Sequence, residues 1–360
     1  NAEHAAAAVY QPRLPSQQPP LPNFVLEDPS RPAPTVPSLT LAELPAAMTA
    51  IVDDYVRSQS APGVAIAVRS LSSGVAWSGA VGTTLEGTPM AVGDRVEIAS
   101  ATKIFTATLV MQAADQGLID LDAPLPQLDA VPWFPYSDQL TARELLEHRS
   151  GLVDYRATDT WLDDPTWIAS PVDAVTASGY LPLQFEPGTE QQYASVNYMV
   201  LGLLLEQVTG RSYDDLLATN ILGPLKLAQT THLESEPGAP RGGAAGIQST
   251  LSDLLLASDG LLKHHSLVSA PAWDAINHLD LVTGMGAGIA GYCPCSVNAA
   301  GVHSFFAIGF TGTSTFMAYV PSLDVAIAIQ VGDDFFTQPS RMAATVTLIH
   351  DLTTKLAAVH

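Results

Sequence analysis

The chain has 360 residues, 47% of them hydrophobic and 14% charged, with a formal net charge of −21. Such a length can bury a sizeable core. The charge reflects a shortage of cations, 15 Lys and Arg against 36 Asp and Glu; this excludes the basic footprint of a nucleic-acid binder and a polybasic membrane anchor.

Residues 1–40 hold nine prolines, including Pro19-Pro20, and read as an extended N-terminal extension. From Leu41 the pattern becomes periodic, and residues 41–360 read as one folded unit. Leu41 to Ser58 predicts an amphipathic helix. Val64 to Val68 and Gly74 to Val81 predict a strand hairpin. A strong helix is expected from Ser100 to Gln116, ending near Gly117. Ala142 to Glu147 and Tyr198 to Thr209 predict further helices, the second stopped by Gly210, and Asp253 to Lys263 follows a Ser/Thr-rich cap. Thr313 to Val320 and Val325 to Val331 read as strands around the turn Pro321-Ser322-Leu323-Asp324. Arg341 to Ala358 closes the chain as a helix. The order strands, helices, strands, helix predicts an α+β fold. Its antiparallel sheet, from about 41–105 and 236–360, is flanked by helices, and about 106–235 forms a mostly helical inserted region.

Several patterns carry no chemistry. Gly286, Gly288 and Gly291 match G-x-G-x-x-G, but Tyr292-Cys293-Pro294-Cys295 does not open the helix that a dinucleotide site needs. Cys293 and Cys295 are too few ligands for a metal and read as two thiols or a strained local bridge in a loop. His264-His265 reads as a solvated helix end. There is no G-x-S-x-G elbow and no H-E-x-x-H. No metal or other cofactor is expected. No run of 18 apolar residues predicts a membrane span. The chain starts at Asn1 without Met or an apolar leader, which reads as the trimmed N-terminus of an exported protein.

One motif does carry chemistry. Ser100-Ala101-Thr102-Lys103 is an S-x-x-K pattern. Residues i and i+3 share a helix face, so the Lys amine can sit beside the Ser hydroxyl. A hydroxyl is a poor nucleophile without a base, and burial can lower the amine's usual pKa of about 10.4 until it accepts a proton. A Ser at a helix N-terminus also presents a free backbone N–H to an oxyanion.

The segments around this motif resemble the serine β-lactamase and penicillin-binding-protein superfamily, in particular its class C β-lactamase, DD-peptidase and family VIII esterase branch. Pro62 to Val68 is similar to the family's first strand and Glu97 to Lys103 to its nucleophile segment. Gly117 to Asp122, Leu145 to Leu152, Pro187-Gly188-Thr189, Ala245 to Asp253 and Gly309 to Ser314 match later landmarks in the same order. The resemblance covers about residues 41–350. It implies a catalytic set of Ser100, Lys103 and Tyr193, with an oxyanion hole formed by the N–H groups of Ser100 and Phe310. His148, in the Leu145 to Leu152 landmark, is implied to be a packing residue.

Two positions depart from that family. Ser195 stands where the third residue of Y-x-N is Asn. Ala307-Ile308-Gly309 stands where Lys-Thr-Gly or His-x-Gly would supply a cation for a substrate carboxylate. His303 lies about 13 Å away along a strand, at roughly 3.3 Å per residue, and cannot replace it. Ser195, Ala307, Ile308 and Gly309 are thus the candidate substrate-binding positions. Phe305, Phe306 and Phe310 suit either an apolar substrate group or the core. The expectation is a serine hydrolase working through an acyl-enzyme, an esterase or related acyl hydrolase of a small neutral ester or amide, with a small peptide as the substrate of the peptidase alternative. A DD-peptidase, D-amino-acid amidase or β-lactamase, and a non-catalytic binding protein of the same fold, are the alternatives.

Overall fold

A computed structural model describes residues 39–263, 266–272, 293–297, 303–311, 313–333 and 339–357; of 293–297, 303–311, 339–343 and 357 only the backbone is described. The expectations for residues 1–38, for His264-His265 and for Gly286, Gly288 and Gly291 lie outside these residues.

The strands are β1 (Leu41–Glu43), β2 (Gly63–Ser70), β3 (Ala76–Gly82), β4 (Val96–Glu97), β5 (Thr231–His232), β6 (Ile247–Ser249), β7 (Cys293–Val297), β8 (His303–Thr311), β9 (Thr313–Val320) and β10 (Val325–Val331). The α-helices are α1 (Ala46–Gln59), α2 (Thr102–Asp115), α3 (Ala142–Leu146), α4 (Asp159–Asp163), α5 (Pro171–Gly179), α6 (Val196–Thr209), α7 (Tyr213–Leu217), α8 (Leu251–Ala257) and α9 (Pro339–Ala357). Seven strands form one sheet in the order β1-β3-β2-β10-β9-β8-β7, and β4-β6-β5 form a small second sheet. This is the α+β architecture read from the sequence, with one difference: β1 pairs β3 in parallel, so the large sheet is mixed.

Other boundaries also differ from expectation. Residues 41–43 are strand, and the helix starts only at Ala46 because Pro45 holds φ −55 and ψ 144; proline also biases the residue before it away from helix. Ser100 lies in a 3₁₀ turn, Ala99–Ala101, ahead of α2. The helix expected at Asp253–Lys263 is α8, followed by a π-helical turn over Ser258–Lys263. The Cys-Pro-Cys segment is not a loop but part of β7, the outermost strand, with a register shift between Cys293 and Ser296. An edge strand with a bulge is where a sheet tolerates proline.

Alternation along the central strands divides the core in two. Val64, Ile66, Val68, Phe316, Ala318, Ile327 and Ile329 face α1 and α9, packing with Met48, Val52, Leu348 and Leu352. Ala65, Ala67, Met317, Ala326 and Ala328 face the helical side, with Phe105, Leu109, Val110 and Leu204. The alanines on that inner face let α8 lie against β2 and β10. Helix α2 is buried from Thr102 to Ala113, as expected of a helix apolar all round. It therefore places Ser100 and Lys103 at the seam between sheet and helices.

Candidate active site

The Ser100 turn is strained. Ala99 is buried and holds φ 45, a left-handed conformation that costs a non-glycine residue about 1–3 kcal/mol and persists only when its surroundings enforce it. They do so from both sides. The Ile98 N–H donates to Ile247 O at 2.8 Å and the Ala101 N–H to Ile98 O at 3.0 Å. The Ile247 N–H in turn donates to Thr102 Oγ1 at 3.2 Å. The segment 96–102 is thus clamped onto β6.

Three of the expected residues converge. Ser100 Oγ and Tyr193 OH share a hydrogen bond of 2.8 Å, and Lys103 Nζ lies 3.1 Å from Ser100 Oγ. Nζ also donates to Ala244 O at 2.8 Å and sits 5.1 Å from the centre of the Tyr193 ring. Lys103 is wholly enclosed. Burial is the largest influence on its amine and pulls the pKa below the ordinary 10.5; the Tyr193 hydroxyl pulls it back up, and Arg156 pushes it further down. Enclosure and the anchoring carbonyl thus hold an amine of lowered pKa against the serine hydroxyl, placed to take its proton.

Ala244 sits in a 3₁₀ turn, Gly242–Ala244, pressed into the notch between α2 and α6. Thr106 Oγ1 donates to Gly243 O at 2.6 Å. A Cβ on Gly243 would lie 2.2 Å from Tyr198 O, so only glycine permits this approach.

Tyr193 is held from below by the segment 147–152. The Gln192 N–H donates to His148 O at 2.9 Å and the Gly188 N–H to Arg149 O at 2.9 Å; Gln191 Nε2 donates to Glu147 O at 2.8 Å. His148 packs its ring against Tyr193, 4.4 Å between centres. Its Nδ1 accepts from the Ala194 N–H at 3.2 Å and lies 3.1 Å from Asn197 Nδ2, while Ser150 Oγ donates to Asn197 Oδ1 at 2.7 Å. Burial, and then the charge of Lys103, push the His148 pKa down to about 3, so the ring is neutral with its proton on Nε2. The packing role implied for His148 thus includes a specific hydrogen bond.

Ser195 immediately precedes α6 without a side-chain capping hydrogen bond. Its N–H donates to Asp154 Oδ2 at 2.5 Å, and its Oγ lies 3.4 Å from Tyr193 OH and 3.4 Å from Arg156 Nη2. Arg156 pairs with Asp154, Nε to Oδ1, at 2.8 Å. Although burial works against the charge, the Asp154 carboxylate outweighs it and holds the guanidinium pKa above its usual value. Strand β8 carries Ala307, Ile308, Gly309 and Phe310 and runs against the Ser100 turn; Ala307 pairs with Met317 and Phe310 with Ser314.

Sequence reasoning missed Ala244, Asp154 and Arg156. A backbone carbonyl has no residue signature. Asp154 and Arg156 follow closely on the Leu145 to Leu152 landmark, and an Asp-x-Arg in a chain so poor in cations was the available signal. Among the described residues there is no cluster of three His, Cys, Asp or Glu placed to hold a metal ion, and no helix is long and apolar enough to cross a membrane.

The beta-lactamase family model matches residues 48–350, and the chain belongs to that family, within the serine β-lactamase and penicillin-binding-protein superfamily. "Penicillin-binding protein 4" of Amycolatopsis lactamdurans is 34% identical over 186 residues, 49% of this chain and 46% of that protein. "Teichoic acid D-alanine hydrolase" of Staphylococcus aureus is 30% identical over 140 residues, 39% of this chain and 33% of that protein. The matches therefore span less than half the length of these curated relatives. Among solved structures, the D-amino acid amidase of Ochrobactrum anthropi SV3 superposes with a TM-score of 0.70 at 20% identity, over 86% of this chain and 98% of that one. A D-stereospecific amidohydrolase from Streptomyces sp. gives 0.66 at 22% identity, over 81% and 95%. At these identities the superpositions establish the fold.

Proposed function

We propose that the protein is a serine hydrolase that forms an acyl-enzyme on Ser100 and releases the acyl group of a neutral ester or amide to water. The observation that carries this reading is the 3.1 Å and 2.8 Å contacts of Ser100 Oγ with Lys103 Nζ and Tyr193 OH. Lys103 takes the Oγ proton as Oγ attacks the carbonyl carbon. The N–H groups of Ser100 and Phe310 receive the oxyanion. Tyr193 gives its proton to the leaving alcohol or amine and takes the Oγ proton from Lys103 in its place, which resets the relay; water then repeats the sequence to free the acid. An intact proton relay supports an enzyme over a non-catalytic binding protein. Ala307 on β8, without a charge for a substrate carboxylate, supports a neutral substrate; Ser195, Ile308 and Gly309 complete the substrate-binding positions.

The relative named for teichoic acid D-alanine hydrolysis supports a second reading, removal of a D-alanyl group, and the relative named for penicillin binding supports a DD-peptidase. Both names also support export to the cell envelope. Incubation with p-nitrophenyl butyrate, D-alanyl p-nitroanilide and a D-Ala-D-Ala peptide separates these readings. We expect turnover of the butyrate ester that disappears in Ser100→Ala. Turnover that survives Ser100→Ala, or cleavage confined to the D-alanyl substrates, would overturn the ester reading.

A further inference from the structure

The charge removed from β8 has a counterpart elsewhere. Arg156 stands on the other flank of Tyr193, its Nη2 3.4 Å from Ser195 Oγ, which is itself 3.4 Å from Tyr193 OH. The guanidinium is therefore three polar contacts from Ser100 Oγ. Its Nε and Nη2 are turned to Asp154. Its Nη1 makes no hydrogen bond to a described residue, and the side chain is 35% exposed. Asp154, by contrast, is saturated. It accepts from the Ser195 N–H, the Arg156 N–H and the Arg156 side chain. The unspent valence on this flank of Tyr193 is thus a charged donor, and the neighbouring carboxylate has its oxygens already taken by N–H groups.

We propose that Arg156 is a specificity-determining residue that admits acyl groups bearing an oxygen acceptor near the scissile carbonyl and rejects those bearing a free α-ammonium. The proposal rests on Ser100 being the nucleophile. A guanidinium cannot lose its proton in a protein, so it meets an ammonium as a fixed like charge and an oxygen as a ready donor. Asp154 acts as the brace: by fixing Nε and Nη2 it holds the guanidinium in one orientation, which limits the ordering cost of binding. On this basis a free D-amino acid amide is a poor substrate, whereas its N-acyl counterpart is a good one.

The test uses two boronic acids that form a reversible Oγ–B bond with Ser100 and differ only at the α-nitrogen, 1-acetamidoethylboronic acid and 1-aminoethylboronic acid. Affinities are read by calorimetry, independently of turnover. The protein should bind the acetamido compound at least ~10-fold more tightly, as expected for a charge-assisted contact set against like-charge repulsion. In Asp154→Asn/Arg156→Gln, which removes both charges together, the ratio should fall to within about threefold, since the neutral amide repels nothing. Arg156→Lys should keep the preference. Fluorophosphonate labelling of Ser100 in each variant reports an intact site. Equal affinities in the unaltered protein, or a preference that survives the double substitution, overturns the role of Arg156. Failure of both boronates while the label still forms overturns it too; failure of the label as well overturns the nucleophile reading beneath it.

Discussion

His148 holds φ 56 and is enclosed to within 1%, yet its Nε2 has no hydrogen-bond partner among the described residues. A buried histidine in that position is tolerated because Nδ1 holds the Tyr193 segment through the Ala194 N–H. Its titration is therefore a stability liability in acid. The unfolded chain protonates this ring near the ordinary 6.5 and the folded chain only near 3, so between those values the unfolded state binds more protons. Stability falls as pH falls through that window, by about 1.4 kcal/mol per pH unit from this group alone. Asn tolerates positive φ and its Oδ1 can accept from Ala194, so His148→Asn should fold and lose this slope. Urea unfolding at pH 7, 6, 5 and 4 measures it; equal slopes in both proteins would show that His148 is not the titrating group. At this scale much was legible. Ser100 and Lys103 were readable as an i, i+3 pair, and Tyr193 through its place in the family's order of landmarks. Arg156 escaped because its meaning depends on Ser195, 39 positions further on and brought close only by folding.

Among the elements, the turn Gly242–Ala244 carries the most chemistry for its length. It presents Ala244 O to Lys103 and fits only because Gly243 lacks a side chain, with Tyr198 O and Thr106 Cγ2 at 2.2 and 3.1 Å from the site of a Cβ. The near obstacle is backbone of α6, which cannot rotate aside. Gly243→Ala should cost about 1–3 kcal/mol by overpacking and should also lower kcat by shifting the carbonyl that anchors Lys103. A urea midpoint and ester turnover measured together test both effects; an unchanged kcat would detach Ala244 from the lysine's task. Element types were readable where periodicity is strong, as in α6, which ends at Gly210 with φ 67. The failures share a cause. Pro45 halts an otherwise helical pattern. Clamping onto β6 tightens residues 99–101 into a 3₁₀ turn. Pairing with β8 draws Cys293-Pro294-Cys295 into a strand. In each, a tertiary or single-residue constraint overrides the local pattern.

Across the whole molecule, the large sheet separates two tasks. One face packs α1 and α9, in a cluster whose margin Tyr193 touches; the other carries the helices that build the rest of the Ser100 site. Removing core on the first face should therefore weaken the fold without altering the chemistry. Leu352 of α9 is fully enclosed among Met48, Val52, Ile66 and Ile327, and Leu352→Ala should cost about 2–5 kcal/mol. Below its melting range the variant should keep the kcat of the parent, as thermal unfolding and ester turnover would show; a large loss of kcat would mean that the two faces are coupled. The α+β class and the helical middle were visible from the order of segments. The parallel pairing of β1 was not, because three residues carry no register signal of their own.

That short strand has an engineering consequence. Leu41 enters the sheet at the margin opposite to β7 and five strand spacings from β8, or about 24 Å at 4.7–4.9 Å each. A fusion partner or surface linker joined just upstream of β1 is therefore spliced at the far side of the sheet from the strand beside Ser100. Immobilising the protein on a solid support through that point sets β8 on the side away from the support, where a large or polymer-borne test substrate can be presented to it.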